Sequence, residues 1–74
     1  MTWDECYRSV RELVLDYATP ESDDAPLALD SLAVVLLVEA IEDRFGLTLG
    51  AKDVTPERFG SLGALVRFVW SLVS

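Results

Sequence analysis

The sequence predicts an all-α fold, a four-helix bundle made of three longer helices and a short one in third place. Three observations carry that prediction. Apolar residues form 51% of the 74-residue chain and recur at helical spacing in three separate stretches. Capping residues stand at the head of each stretch, with glycine or proline beyond the first two. No segment sustains the two-residue alternation of a half-buried strand. The length suits one domain spanning residues 1–74, with a modest core, because a chain this small buries only about 60% of its unfolded surface.

The first helix is expected from Trp3 to Tyr17, where Trp3, Cys6, Tyr7, Val10, Leu13, Val14 and Tyr17 share one face. Thr2 with Glu5 three residues on makes a capping-box pattern, and Pro20 marks the exit. A polar loop from Thr19 to Pro26 then crosses the bundle, with Leu27 and Leu29 anchoring its end. The second helix is expected from Ser31 to Phe45. Asp30 or Ser31 caps its start, and Gly46 stops it in the left-handed conformation while Leu47 closes the cap. At 100° per residue, Val34, Val38, Ile41 and Phe45 form its core sector with Leu37 at the edge. Leu32, Ala33, Leu36, Ala40 and Asp43 lie opposite, an apolar outer strip near Ser31 that a monomer gains little by exposing.

After a linker from Thr48 to Val54, Thr55-Pro56-Glu57 reads as cap, first-turn proline and acid of the short helix, anchored by Phe59 and ended by Gly60. Ser61 caps the last helix. Its inner face is Leu62, Leu65, Val66, Val69 and Val73, flanked by Phe68, Trp70 and Leu72.

Composition excludes several functions. With 13 acidic and 6 basic residues the net charge is −7, and nucleic acid, which needs a basic surface to displace counterions, is not an expected partner. Basic partners are expected instead. Eight of the acids precede Ser31, so the excess is concentrated in the first part of the chain. The longest apolar run, Leu32 to Val38, is too short to span a membrane, and the first residues lack a basic segment and apolar stretch of a secretory signal, so the cytoplasm is the expected location. There is no histidine, and Cys6 is the only cysteine. A disulfide within the chain, a zinc set and histidine-dependent acid–base chemistry are therefore excluded, and Cys6 reads as a small core residue. Glu39, Glu42 and Asp43 read as a solvated helix face and not as a catalytic carboxylate pair, because nothing in the sequence pushes their titrations apart. No enzymatic activity is expected.

Asp30-Ser31-Leu32 is the segment that carries functional information. It sets a serine hydroxyl at the start of a helix, where the helix dipole favours a phosphate group. Leu29-Asp30-Ser31-Leu32, continuing through Val38-Glu39-Ala40-Ile41-Glu42-Asp43-Arg44-Phe45-Gly46, resembles the acyl and peptidyl carrier proteins, and the resemblance extends over essentially the whole chain. It implies a carrier-type helical bundle with a covalent 4′-phosphopantetheine on Ser31, whose thiol holds cargo as a thioester. Asp30 would then assist recognition by the phosphopantetheinyl transferase. The other implied partners are a loading ligase or acyltransferase and downstream synthase or transferase enzymes, met by a monomer through Leu32, Ala33, Leu36, Glu39, Glu42 and Asp43.

Two departures narrow this. The positions two and five residues after the serine, often acidic in fatty-acid carriers, are Ala33 and Leu36, and the shortened loop before Asp30 lacks the glycine common just ahead of the motif. Asp53 to Phe59 with Ser61 to Leu65 looks like the third-helix region of discrete carriers in specialised pathways, including aminoacyl carriers. A free-standing carrier of polyketide or nonribosomal-peptide type is therefore expected. The alternative is an unmodified carrier-like helical module that binds a partner through the apolar start of the second helix.

Overall fold

A computed structural model describes all 74 residues. It contains α1 (Trp3–Val14), α2 (Ser31–Phe45) and α3 (Leu62–Val73), with a 3-10 helix at Ala51–Asp53 between the last two. There are no strands, only an isolated antiparallel bridge between Pro26 and Ser61.

The capping residues act locally. Thr2 Oγ1 accepts the Glu5 N–H at 3.2 Å while Glu5 accepts the Thr2 N–H at 2.8 Å. The donated backbone and hydroxyl hydrogen bonds of Thr2 hold the Glu5 carboxyl below the usual carboxylate range. α1 ends at Val14 and not at Tyr17. Beyond it the Asp16 and Tyr17 N–H groups bond three residues back, to Leu13 and Val14, which tightens the chain into a turn and leaves Tyr17 exposed. α2 ends as expected: Gly46 adopts φ 66°, ψ 38°, and the N–H groups of Gly46 and Leu47 both reach the Glu42 carbonyl.

The expected third helix is a single turn. Thr55 caps it through Oγ1 to the Arg58 N–H at 3.2 Å, and the Phe59 N–H bonds to the Thr55 carbonyl at 3.1 Å. Pro56 and Gly60 leave no room for a second turn, and the cost of helix nucleation is not recovered over so few residues. Regular structure forms instead just upstream, in the stretch expected to be linker. Arg58 ties the two together: Nη1 donates to the Asp53 carbonyl at 3.1 Å, and the guanidinium sits 4.5 Å from the centre of the Phe68 ring on α3.

The core joins Cys6, Val10 and Val14 of α1, Leu37 and Ile41 of α2, and Leu62, Leu65, Val66, Phe68 and Val69 of α3, with Leu27 and Phe59 from the loops. Burial pushes the Cys6 thiol up. On α2 the fully buried residues are Leu37 and Ile41, whereas Val34, Val38 and Phe45 are half-buried, so the inward face is turned towards Leu37 relative to the expected sector. Trp3 and Trp70 meet edge to face at 5.8 Å, joining the start of α1 to the end of α3. The long first loop is held by Tyr7, which donates to Asp23, and by the Gly63 N–H, which bonds to the Asp23 carbonyl at 2.8 Å. A Cβ at Gly63 would lie 3.0 Å from that carbonyl oxygen, so the loop can approach α3 this closely only over glycine.

Candidate functional site

The stretch before Ser31 is set from both sides. Leu27 is buried, and its N–H bonds to the Gly60 carbonyl at 2.9 Å, pinning the loop end against the turn before α3. Ala28 then takes φ 53°, the left-handed region that L-residues other than glycine avoid. This backbone reversal turns the chain into α2. It supplies the physical meaning of the missing glycine: alanine occupies a position where the conformation favours a residue with no Cβ.

Asp30 caps the helix. Its Oδ1 accepts the Ala33 N–H at 2.7 Å, and its carbonyl accepts the Val34 N–H at 3.0 Å. Ser31 is therefore the first helical residue and not the cap, and its side chain is exposed. An exposed hydroxyl released from capping, at the positive end of a 15-residue helix, fits a phosphodiester.

Beside it opens an apolar groove of about 590 Å³, bordered by Leu29, Val34 and Val35 on the Ser31 side and by Val54, Pro56 and Phe59 opposite. A second groove of about 490 Å³ runs on along α2 to Glu39 and Glu42, facing Leu49 and Ala51, and shares Val34, Val35 and Val54 with the first. The grooves exist because α1 packs against both α2 and α3, while the 47–60 segment separates α2 from α3.

The expected partner-facing residues are distributed unevenly. Leu32 is 67% exposed and Leu36 39% exposed, whereas Ala33 is half-buried. Val35, absent from the expected set, is 54% exposed and borders both grooves. Leu32, Val35 and Leu36, three and four residues apart, form one apolar patch on the first turns of α2. The sequence signal for Val35 is present only in hindsight of its neighbours, because seven consecutive apolar residues give a helical wheel no inside and outside. Glu39 and Asp43 are exposed. Glu42 is half-buried, its Oε2 accepting the Leu49 N–H at 2.8 Å. No cluster of three or more metal-ligating side chains is present, and no helix is long and apolar enough to cross a membrane.

A family model described as the phosphopantetheine attachment site matches residues 8–69. Searches of curated proteins and of solved structures return no significant match. Members of the matched family carry 4′-phosphopantetheine covalently on a serine and work with phosphopantetheinyl transferases and biosynthetic enzymes. The match takes in nearly all of the core and the whole of α2 with both grooves, and the chain belongs to this family of phosphopantetheine-bearing carrier proteins.

Proposed function

We propose that Ser31 bears the phosphopantetheine and that the chain is a carrier domain without catalysis of its own, in a specialised pathway of polyketide or nonribosomal-peptide type. The observation that carries this reading is the division of labour at the head of α2: Asp30 caps, which leaves the exposed Ser31 hydroxyl available for modification. In the loading step Ser31 Oγ bonds to the phosphorus next to the pantetheine of coenzyme A. The pyrophosphate P–O bond breaks, adenosine 3′,5′-bisphosphate leaves with the electron pair, and the serine proton passes to a base on the transferase. The thiol at the end of the bound arm then supplies the thioester linkage, while this chain's residues place the arm and present a docking face.

The exposed patch of Leu32, Val35 and Leu36 supports a dedicated partner that reads an apolar surface, with Glu39, Glu42 and Asp43 offering acidity further along the helix. The test is incubation of wild type and Ser31→Ala with coenzyme A and a broad-specificity transferase, read by intact mass. Wild type should gain one phosphopantetheine and the variant none. Gain by both would move the site to another serine, and gain by neither would favour an unmodified interaction module.

A further inference from the structure

We propose that Ala28 is a strained catch on the cap of α2: its left-handed turn pulls against the Asp30 cap, the cap opens in a fraction of molecules, and the open form is the one engaged by the enzyme that modifies Ser31. This rests on the reading of Ser31 as the attachment point. The strained turn is held between two anchors. On one side Leu27 is 6% exposed, its N–H bonds to the Gly60 carbonyl at 2.9 Å, and Pro26 bridges to Ser61. The receiving turn has no slack, since a Cβ at Gly60 would lie 2.8 Å from the Pro56 carbonyl oxygen. On the other side the exposed Asp30 accepts the Ala33 N–H through Oδ1 at 2.7 Å and the Val34 N–H through its carbonyl at 3.0 Å. Between the anchors, the N–H groups of Ala28, Leu29 and Asp30 and the carbonyls of Ala28 and Leu29 take part in no backbone hydrogen bond.

The magnitudes decide which anchor yields. Left-handed geometry disfavours an L-residue by about 5- to 30-fold, and a carboxylate cap favours the closed first turn by about 2- to 30-fold. The two are comparable, so relaxation of Ala28 offsets most of what the cap supplies. Water can reach the exposed Asp30 carboxylate, whereas releasing Leu27 would bring a buried side chain into solvent, so the Asp30 end is the one that opens. Opening returns Ala28 to ordinary negative φ and frees the Asp30 carboxylate one residue before the Ser31 hydroxyl. A cationic group on the enzyme can then take that carboxylate without first breaking its bond to the Ala33 N–H. Glycine at this position would close the turn without strain, lower the open fraction and weaken engagement by the same factor.

The test compares the unmodified wild-type chain with Ala28→Gly and with a synthetic chain in which Ala28 is replaced by D-alanine, which favours the left-handed region by mirror symmetry. Amide hydrogen exchange in the wild type should be faster at Ala33 than at Val10 and Val66, core positions that open only with the whole fold. Exchange at Ala33 should slow by about 5- to 30-fold with D-alanine and by less, up to about 10-fold, with glycine, whose freedom in the open loop returns part of the gain. Transfer of phosphopantetheine from coenzyme A by a broad-specificity transferase should slow in the same order, read as a fall in kcat/KM. Ala33 exchange that is no faster than that of the core, or that does not follow the order of the three residues at this position, would overturn the inference. Equal transfer rates in chains whose exchange differs would also overturn it, and each of these outcomes leaves Ser31 as the carrier site. Failure of every chain, wild type included, to take an arm on Ser31 would overturn both readings together.

Discussion

At the scale of single residues, Asp30 caps α2 and the neighbouring Ser31 is exposed and takes no part in the cap. Because the Asp30 carboxylate accepts the Ala33 N–H, Asp30→Ala should cost about 0.5–2 kcal/mol and Ser31→Ala clearly less, as chemical denaturation of the two variants will show. A Ser31→Ala loss as large as that of Asp30→Ala would mean that the hydroxyl is engaged in structure. Ala28, at φ 53°, gives a second prediction. The left-handed conformation costs a non-glycine residue about 1–2 kcal/mol, and the added freedom of glycine in the unfolded chain returns about 0.5–1 of that. Ala28→Gly should therefore stabilise the protein by up to about 1.5 kcal/mol, seen as a shift of the denaturation midpoint at unchanged slope. The caps Thr2 and Ser61 and the stop at Gly46 were legible in the sequence because each depends on a few adjacent residues, whereas the cap of α2 was narrowed only to Asp30 or Ser31. The positive φ of Ala28 was not legible, since it arises from Leu27 being held by Gly60, more than thirty residues away in sequence.

At the scale of elements, α2 was placed to the residue but its rotation was not. Leu32 to Val38 are all apolar, so periodicity is blurred where orientation matters most, and contact with α1 and the 47–60 segment decides it. The consequence is measurable. Leu37→Ala and Ile41→Ala, at fully buried positions, should each destabilise by about 2–5 kcal/mol, and Leu36→Ala by much less because its side chain already meets water. Comparable losses at Leu36 and Leu37 would show that the helix is rotated from the described position. The short third helix failed for a different reason. Cap, proline and glycine were each read correctly, and their spacing permits only one turn, which Arg58 then fastens to the Asp53 carbonyl and the Phe68 ring. The grooves followed from this displacement and have no local signature in the sequence.

At the scale of the whole molecule, a chain with a radius of gyration of 11.0 Å is as compact as its length allows, about 11 Å by the usual scaling, although much of it is loop. The first loop keeps that compactness through Tyr7 and Asp23, and this contact makes stability depend on pH. The hydrogen bond to Asp23 raises the Tyr7 pKa above its ordinary value near 10. Its contribution is therefore complete below about pH 10 and is lost as the pH rises through the raised folded-state value. Tyr7→Phe should remove that part of the alkaline loss, which thermal melts of the two proteins across the alkaline range will reveal. The net charge of −7 and the apolar patch of Leu32, Val35 and Leu36 together describe a molecule made to be met by others. The serine motif was legible because its neighbours follow a known pattern, whereas the groove beside Ser31 depends on tertiary packing. The most direct measurement is fragmentation mass spectrometry of the wild-type protein after reaction with coenzyme A and transferase, mapping the modification among Ser9, Ser22, Ser31, Ser61, Ser71 and Ser74. The account predicts one phosphopantetheine, on the peptide containing Ser31 and on that residue; its appearance on any other serine, or its absence from the protein, would contradict it.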